Sequence, residues 1–160
     1  MQHTRLLLIS RDDILAAMGS EDCDKAFRLM AALTRQGYHL LATAPQPEAW
    51  TGEHGSPDDA LLGPNSIRRR LSDAGGVLDG VYYVRRSLLT QKRNREAALN
   101  DILQRYKSQA EHTVLLSSSR NFVKAARKLG IQATLLAGDH QLVQELFDLN
   151  ALRPAGEPGG

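Results

Sequence analysis

Short apolar blocks recur along the chain, and between them lie longer stretches whose apolar residues fall every three or four positions. Leu6 to Ile9 is an unbroken apolar run, the pattern of a strand covered on both faces. Asp22 to Gln36 then places Ala26, Leu29, Met30 and Leu33 on one helical face and closes at Gly37. Tyr38–Thr43 predicts a second strand, Asn65–Ala74 a helix with Asn65 as its cap, and Gly80–Val84 a third strand. Thr90–Gln109 predicts a helix with Ala98, Ile102 and Tyr106 on one face, followed by a fourth strand at Thr113–Leu116. Ser119–Leu129 predicts a helix stopped by Gly130, Ile131–Leu136 a fifth strand, and His140–Leu149 a last helix. Residues 44–64 hold four of the six prolines and the single tryptophan, Trp50, so they predict a long loop or insertion.

Strands alternating with helices predict βαβ units, right-handed crossovers and an α/β sheet that is mostly parallel and five-stranded. One domain is expected over residues 1–152, with residues 153–160, RPAGEPGG after Leu152, as a disordered tail. In such sheets ligands sit beyond the carboxyl ends of the strands. The residues there are Ser10-Arg11-Asp12-Asp13, Thr43-Ala44-Pro45-Gln46, Arg85-Arg86, Ser117-Ser118-Ser119 and Gly138-Asp139.

Composition narrows the chemistry. The 160 residues carry a net charge of +2, too near balance to demand a polyanionic partner. Cys23 is the only cysteine, which excludes an intrachain disulfide and a cysteine-built zinc site. His3, His39, His54, His112 and His140 show no ligand spacing. The first apolar run is too short for a signal-peptide core and no run is long enough to cross a bilayer, so a cytoplasmic protein with no membrane contact is expected. Basic residues cluster at Arg68-Arg69-Arg70 and again over Arg85, Arg86, Lys92, Arg93 and Arg95. With few aromatics interleaved, these runs suit phosphate groups or a protein better than nucleic acid.

The strand ends, taken in order, resemble the haloacid dehalogenase superfamily, and within it the phosphatases of histidinol phosphate and heptose bisphosphate. That group ends its first strand Asp-Arg-Asp-Gly, where this chain has Ser10-Arg11-Asp12-Asp13. It ends its second strand Thr-Asn-Gln, where LTRQGYHLLATAPQP gives Thr43-Ala44-Pro45. It carries Lys-Pro before a helix, where QKRNREAAL offers Lys92 and Arg93. Its fourth motif is Gly-Asp-Ser-x-x-Asp, where LLSSSRNFVKAARKLGI has Ser117, Ser118 and Phe122 in place of the glycine and both aspartates.

The resemblance implies a three-layer Rossmann-like core with little or no cap, its sheet in the order fifth, fourth, first, second, third. It also implies that the first aspartate attacks phosphorus, the second is the acid/base, and the fourth-motif carboxylates hold Mg²⁺. The departures fall on those parts: a serine is a poor nucleophile without a base beside it, and positions 10, 118 and 122 no longer offer carboxylates to a hard cation. The expectation is therefore no catalytic residues and no cofactor, with Ser10, Asp12, Thr43, Lys92, Arg93, Ser118 and Phe122 as vestiges and the Mg²⁺ site lost. The expected function is that of a pseudophosphatase, a binding or regulatory module for a protein partner or a phosphorylated ligand. Ser10, Arg11, Thr43, Lys92, Arg93, Ser118 and Ser119 are the expected ligand-binding residues, and Trp50, Arg68 and Arg69 the expected partner-binding ones. The alternatives are an atypical phosphohydrolase that uses Asp12, and a nucleotide-sensing domain.

Overall fold

The computed structural model describes residues 4–45, 66–84 and 91–151. The described elements, in chain order, are β1 (Thr4–Ser10), α1 (Arg11–Met18), α2 (Cys23–Arg35), β2 (Tyr38–Pro45), α3 (Ile67–Asp73) and β3 (Leu78–Val84). They continue with α4 (Gln91–Arg105), β4 (Ser108–Ser117), α5 (Arg120–Lys128), β5 (Gln132–Leu135) and α6 (Asp139–Ala151). The five strands form one sheet in the order β3-β2-β1-β4-β5, and every pairing is parallel. This is the expected order, and the fold is the Rossmann-like core that the sequence implied. The predicted tail and most of the 44–64 segment lie outside the described residues.

Strand β1 shows why a continuous apolar run marks the centre of such a sheet. Its side chains alternate between two cores: Leu7 and Ile9 join one with Met30, Leu33, Leu71 and Leu146, while Leu6 and Leu8 join the other with Leu99, Ile102, Leu115 and Phe122. Both faces are covered by helices, so neither set of alternate residues can be polar. Helix α6 is held onto α2 at both ends. Near its start His140 Nδ1 lies 2.6 Å from Asp22 Oδ2, and near its end Asn150 Nδ2 donates to the Leu29 carbonyl at 3.2 Å. Gly76, between α3 and β3, has a packing reason to be glycine: a Cβ there would fall 2.6 Å from the Cα of Ala31.

Three points differ from the sequence reading: the cap of α3 is Ser66, whose hydroxyl accepts from the Arg69 N–H, rather than Asn65, and two elements are redrawn. Helix α1 follows β1 without a loop, and only Ile14 and Ala17 of its eight residues are buried, too few to give an apolar period. Strand β4 begins at Ser108, whereas the hydrophobic pattern predicted helix through Gln109. Helix α4 ends at Arg105, and Lys107, at φ 51°, turns the chain out of helical geometry. The first half of β4 alternates half-buried and exposed residues, a strand signal that the largely polar sequence QAEH conceals.

Candidate functional site

Ser10 is the last residue of β1 and sits in extended geometry immediately before α1, without capping that helix by its side chain. The register of β1 against β4 pairs Ile9 with Leu116, which brings the next residues, Ser10 and Ser117, side by side. Their hydroxyl oxygens are 2.6 Å apart, and Ser117 is fully buried. On the other flank Ser10 pairs in register with Thr43 of β2, also buried. Three hydroxyl-bearing residues thus stand in a row across the top of the central strands.

The N-terminus of α5 closes one side of this row. The Ser119 backbone N–H donates to Ser117 Oγ at 3.0 Å, and the Ser119 hydroxyl accepts from the Phe122 N–H at 3.3 Å as the helix cap. The Ser118 N–H donates to Asp13 Oδ2 at 2.8 Å. Asp13 therefore ties the first turn of α1 to the entry of α5, with its carboxylate where the dipole and amides of α5 favour negative charge. The sequence reading placed Asp13 only as a substitute for glycine. The Ser117-Ser118-Ser119 run was the available signal, since a helix entry of that kind attracts an acid.

Asp12 points elsewhere. Its side chain is 67% exposed and pairs with Arg11, Nη2 to Oδ1 at 3.3 Å. Phe122 has left the strand ends altogether: it is buried in the core formed with Leu6, Leu8 and Leu115. Lys92 and Arg93 lie in the first turn of α4, which follows β3, and their side chains lie outside the described residues. A cleft of about 220 Å³ opens beside these groups, lined by Asp13, Ser118, Leu136, Ala137, Gly138 and Leu142. Of the expected site residues it brings Ser118 to its wall, together with Asp13, while Ser10, Ser117 and Ser119 are not part of its lining. Among the described residues, no three His, Cys, Asp or Glu side chains gather around one point.

The expected partner-binding residues separate. Trp50 lies outside the described residues. Arg68 Nη1 donates to the Leu78 carbonyl at 3.0 Å, fastening α3 to the start of β3. Arg69 faces a second, larger groove between α2 and α3.

No protein-family model matches this chain, and no curated protein matches it in sequence. Solved structures do match its fold. An uncharacterized protein from Corynebacterium glutamicum is 18% identical with a TM-score of 0.62, over 94% of this chain and 97% of that one. A D,D-heptose 1,7-bisphosphate phosphatase from B. bronchiseptica, solved with magnesium and phosphate, is 16% identical with a TM-score of 0.55, over 94% of this chain and 89% of that one. The enzyme of that name from Burkholderia thailandensis is 15% identical with a TM-score of 0.54, over 93% of this chain and all of that one. The fold is thus one that heptose bisphosphate phosphatases use.

Proposed function

We propose that this protein is a catalytically silent version of a haloacid-dehalogenase-type phosphatase core, a pseudophosphatase that acts as a regulatory module by binding a protein partner. One observation carries the reading: the described polar groups around Ser10, Ser117 and the start of α5 satisfy each other. Ser10 and Ser117 share a hydroxyl hydrogen bond, Asp13 occupies the Ser118 amide, and Ser119 caps its own helix. Among the described side chains at the strand ends, the carboxylates are Asp12, exposed and beside Arg11, and Asp13, already engaged. Mg²⁺ takes at least one or two free carboxylates with its waters; among the described groups Asp12 is paired with Arg11 and Asp13 is engaged by the Ser118 amide, a poor fit, so no step is routed through a metal. The Asp12 alternative needs a base beside the nucleophile; here the neighbour of the Ser10 hydroxyl is Ser117.

A phosphorylated ligand is the second reading, favoured by the hydroxyl row and the α5 N-terminus. In that reading Asp13 stands where the anion would go, so binding would require its displacement.

The test is turnover of p-nitrophenyl phosphate and histidinol phosphate with millimolar Mg²⁺. Activity at background is expected. Turnover by the wild type that is lost in Asp12→Ala would establish the phosphohydrolase instead. Binding of inorganic phosphate separates the remaining readings. Under the protein-partner reading the wild type shows none, and Asp13→Asn gains it at the α5 N-terminus. Wild-type binding of inorganic phosphate at the Ser118 amide would favour the phosphorylated ligand.

A further inference from the structure

Two large apolar side chains are exposed among the described residues: Val77, in the turn before β3, and Phe147, on α6. Only Phe147 belongs to a wider apolar surface. Helices α2 and α6 lie side by side and run in the same direction. His140 meets Asp22 where both begin, and Gln36 Nε2 donates to Asn150 Oδ1 at 2.8 Å where both end. Phe147 follows His140 by two turns and precedes Asn150 by about one, so it is on the flank of α6 that faces α2. Leu29 follows Asp22 by two turns and precedes Gln36 by two, so it is on the flank of α2 that faces α6. Both residues face the seam between the helices, yet Phe147 is 53% exposed and Leu29 only half-buried. Ala32, one turn beyond Leu29, is half-buried, and Ala151, one turn beyond Phe147, is exposed. A lone exposed apolar residue is ordinary on a protein surface; an aromatic continued by apolar neighbours across two helices marks a contact surface.

The two sides of the seam differ in charge, and this selects what can cover it. Helix α6 carries Asp139, Glu145 and Asp148 and no lysine or arginine. Asp148, next to Phe147, is held by Gln144 Nε2 at 3.0 Å. The exposed side of α2 carries Lys25, one turn before Leu29, and Arg28, next to it, while the one acid of α2, Asp24, lines the groove with α3. Whatever covers Phe147 must be basic where it meets α6 and acidic where it meets α2. A second copy of this chain meets that requirement when a two-fold axis runs along the seam. Such an axis lays α6 of each copy on α2 of the other, Phe147 against Leu29 and Ala32, with Asp148 beside Arg28. An axis across the helices would set α2 on α2 and α6 on α6, with like charges opposed. The contact along the seam is isologous, so it closes at two copies.

We propose that this protein forms a two-fold dimer through the α2–α6 seam, with Phe147 as the apolar anchor and Asp148 paired with Arg28 of the second copy. The surface is separate from the strand-end cleft, and the dimer does not depend on whether that cleft is catalytic.

The test is the mass of the full chain in solution, followed by sedimentation velocity over a roughly thousand-fold range of concentration. A monomer–dimer equilibrium with a Kd at or below about 10 µM is expected. Phe147→Asp should raise that Kd by about ten-fold or more, and because the ring is exposed the urea midpoint stays where it was. Val77→Asp, equally exposed but away from the seam, should leave the dimer unchanged. Asp148→Arg and Arg28→Asp should each weaken the dimer by about three-fold or more, and the two together should restore it, because the reversed pair keeps its attraction. A monomer at every concentration, a dimer that survives Phe147→Asp, or charge reversals whose effects add instead of compensating would overturn the proposal.

Discussion

The strand-end cleft and the α2–α3 groove handle polar groups in opposite ways. In the cleft, hydroxyls, amides and Asp13 are joined within hydrogen-bond distance, and the one large side chain at a motif position, Phe122, is committed to the core. In the groove, charged side chains face one another across open space with only Arg70 held by a neighbour. Groups that satisfy one another contribute to the fold, and a ligand must displace them. Exposed charges that make no ion pair are hydrated instead, and anything that binds them must replace that water and order their side chains.

The sharpest way to break this comparison is to reopen the cleft. Phe122→Asp would return a carboxylate to the motif but place it in the core with Leu6, Leu8 and Leu115. A loss of about 3–5 kcal/mol is expected in urea unfolding, from the lost aromatic and the buried charge. A loss below 1 kcal/mol would mean that position 122 can still face the cleft. Next, Gly76→Ala strikes the contact between the turn after α3 and α2. The added methyl meets backbone at Ala31, so a loss of about 1–3 kcal/mol is expected together with wider separation of α2 and α3. Ser119→Ala removes the α5 cap and should cost about 1 kcal/mol while leaving the α2–α3 contact unchanged.

The smallest effect lies outside both regions and serves as their control. Tyr82 on β3 and Arg105 on α4 both hydrogen-bond Asp101, and these bonds, the one from Tyr82 first, lower its pKa below the ordinary 3.8. A carboxylate whose pKa is depressed by folding adds stability above its unfolded value and loses it as pH falls through the folded one. Stability should therefore decline below about pH 4 in the wild type, and Asp101→Asn should flatten that decline without altering either region. An unchanged acid slope in the variant would show that the Tyr82 and Arg105 bonds do not persist in solution.

Sequence alone determined the sheet. Leu6–Ile9, Leu40–Ala42 and Val114–Leu116 are apolar without alternation because helices cover both faces, and the helices between them fix parallel strands, while the order β3-β2-β1-β4-β5 is the one the family resemblance at the strand ends implied. It also located the strand ends where Ser10, Thr43 and Ser117–Ser119 converge, because that convergence follows from the topology. What it did not decide was which polar groups bond to which. Asp12 and Asp13 are adjacent and chemically identical, yet one pairs with Arg11 at the surface and the other with the Ser118 amide, a choice set by the direction in which α1 leaves the sheet. The groove was likewise invisible, since Asp24 and Arg28 are separated from Arg69, Arg70 and Asp73 by more than 40 positions in the chain. Only the packing of α2 against α3, allowed by the missing side chain at Gly76, brings their charges to one place.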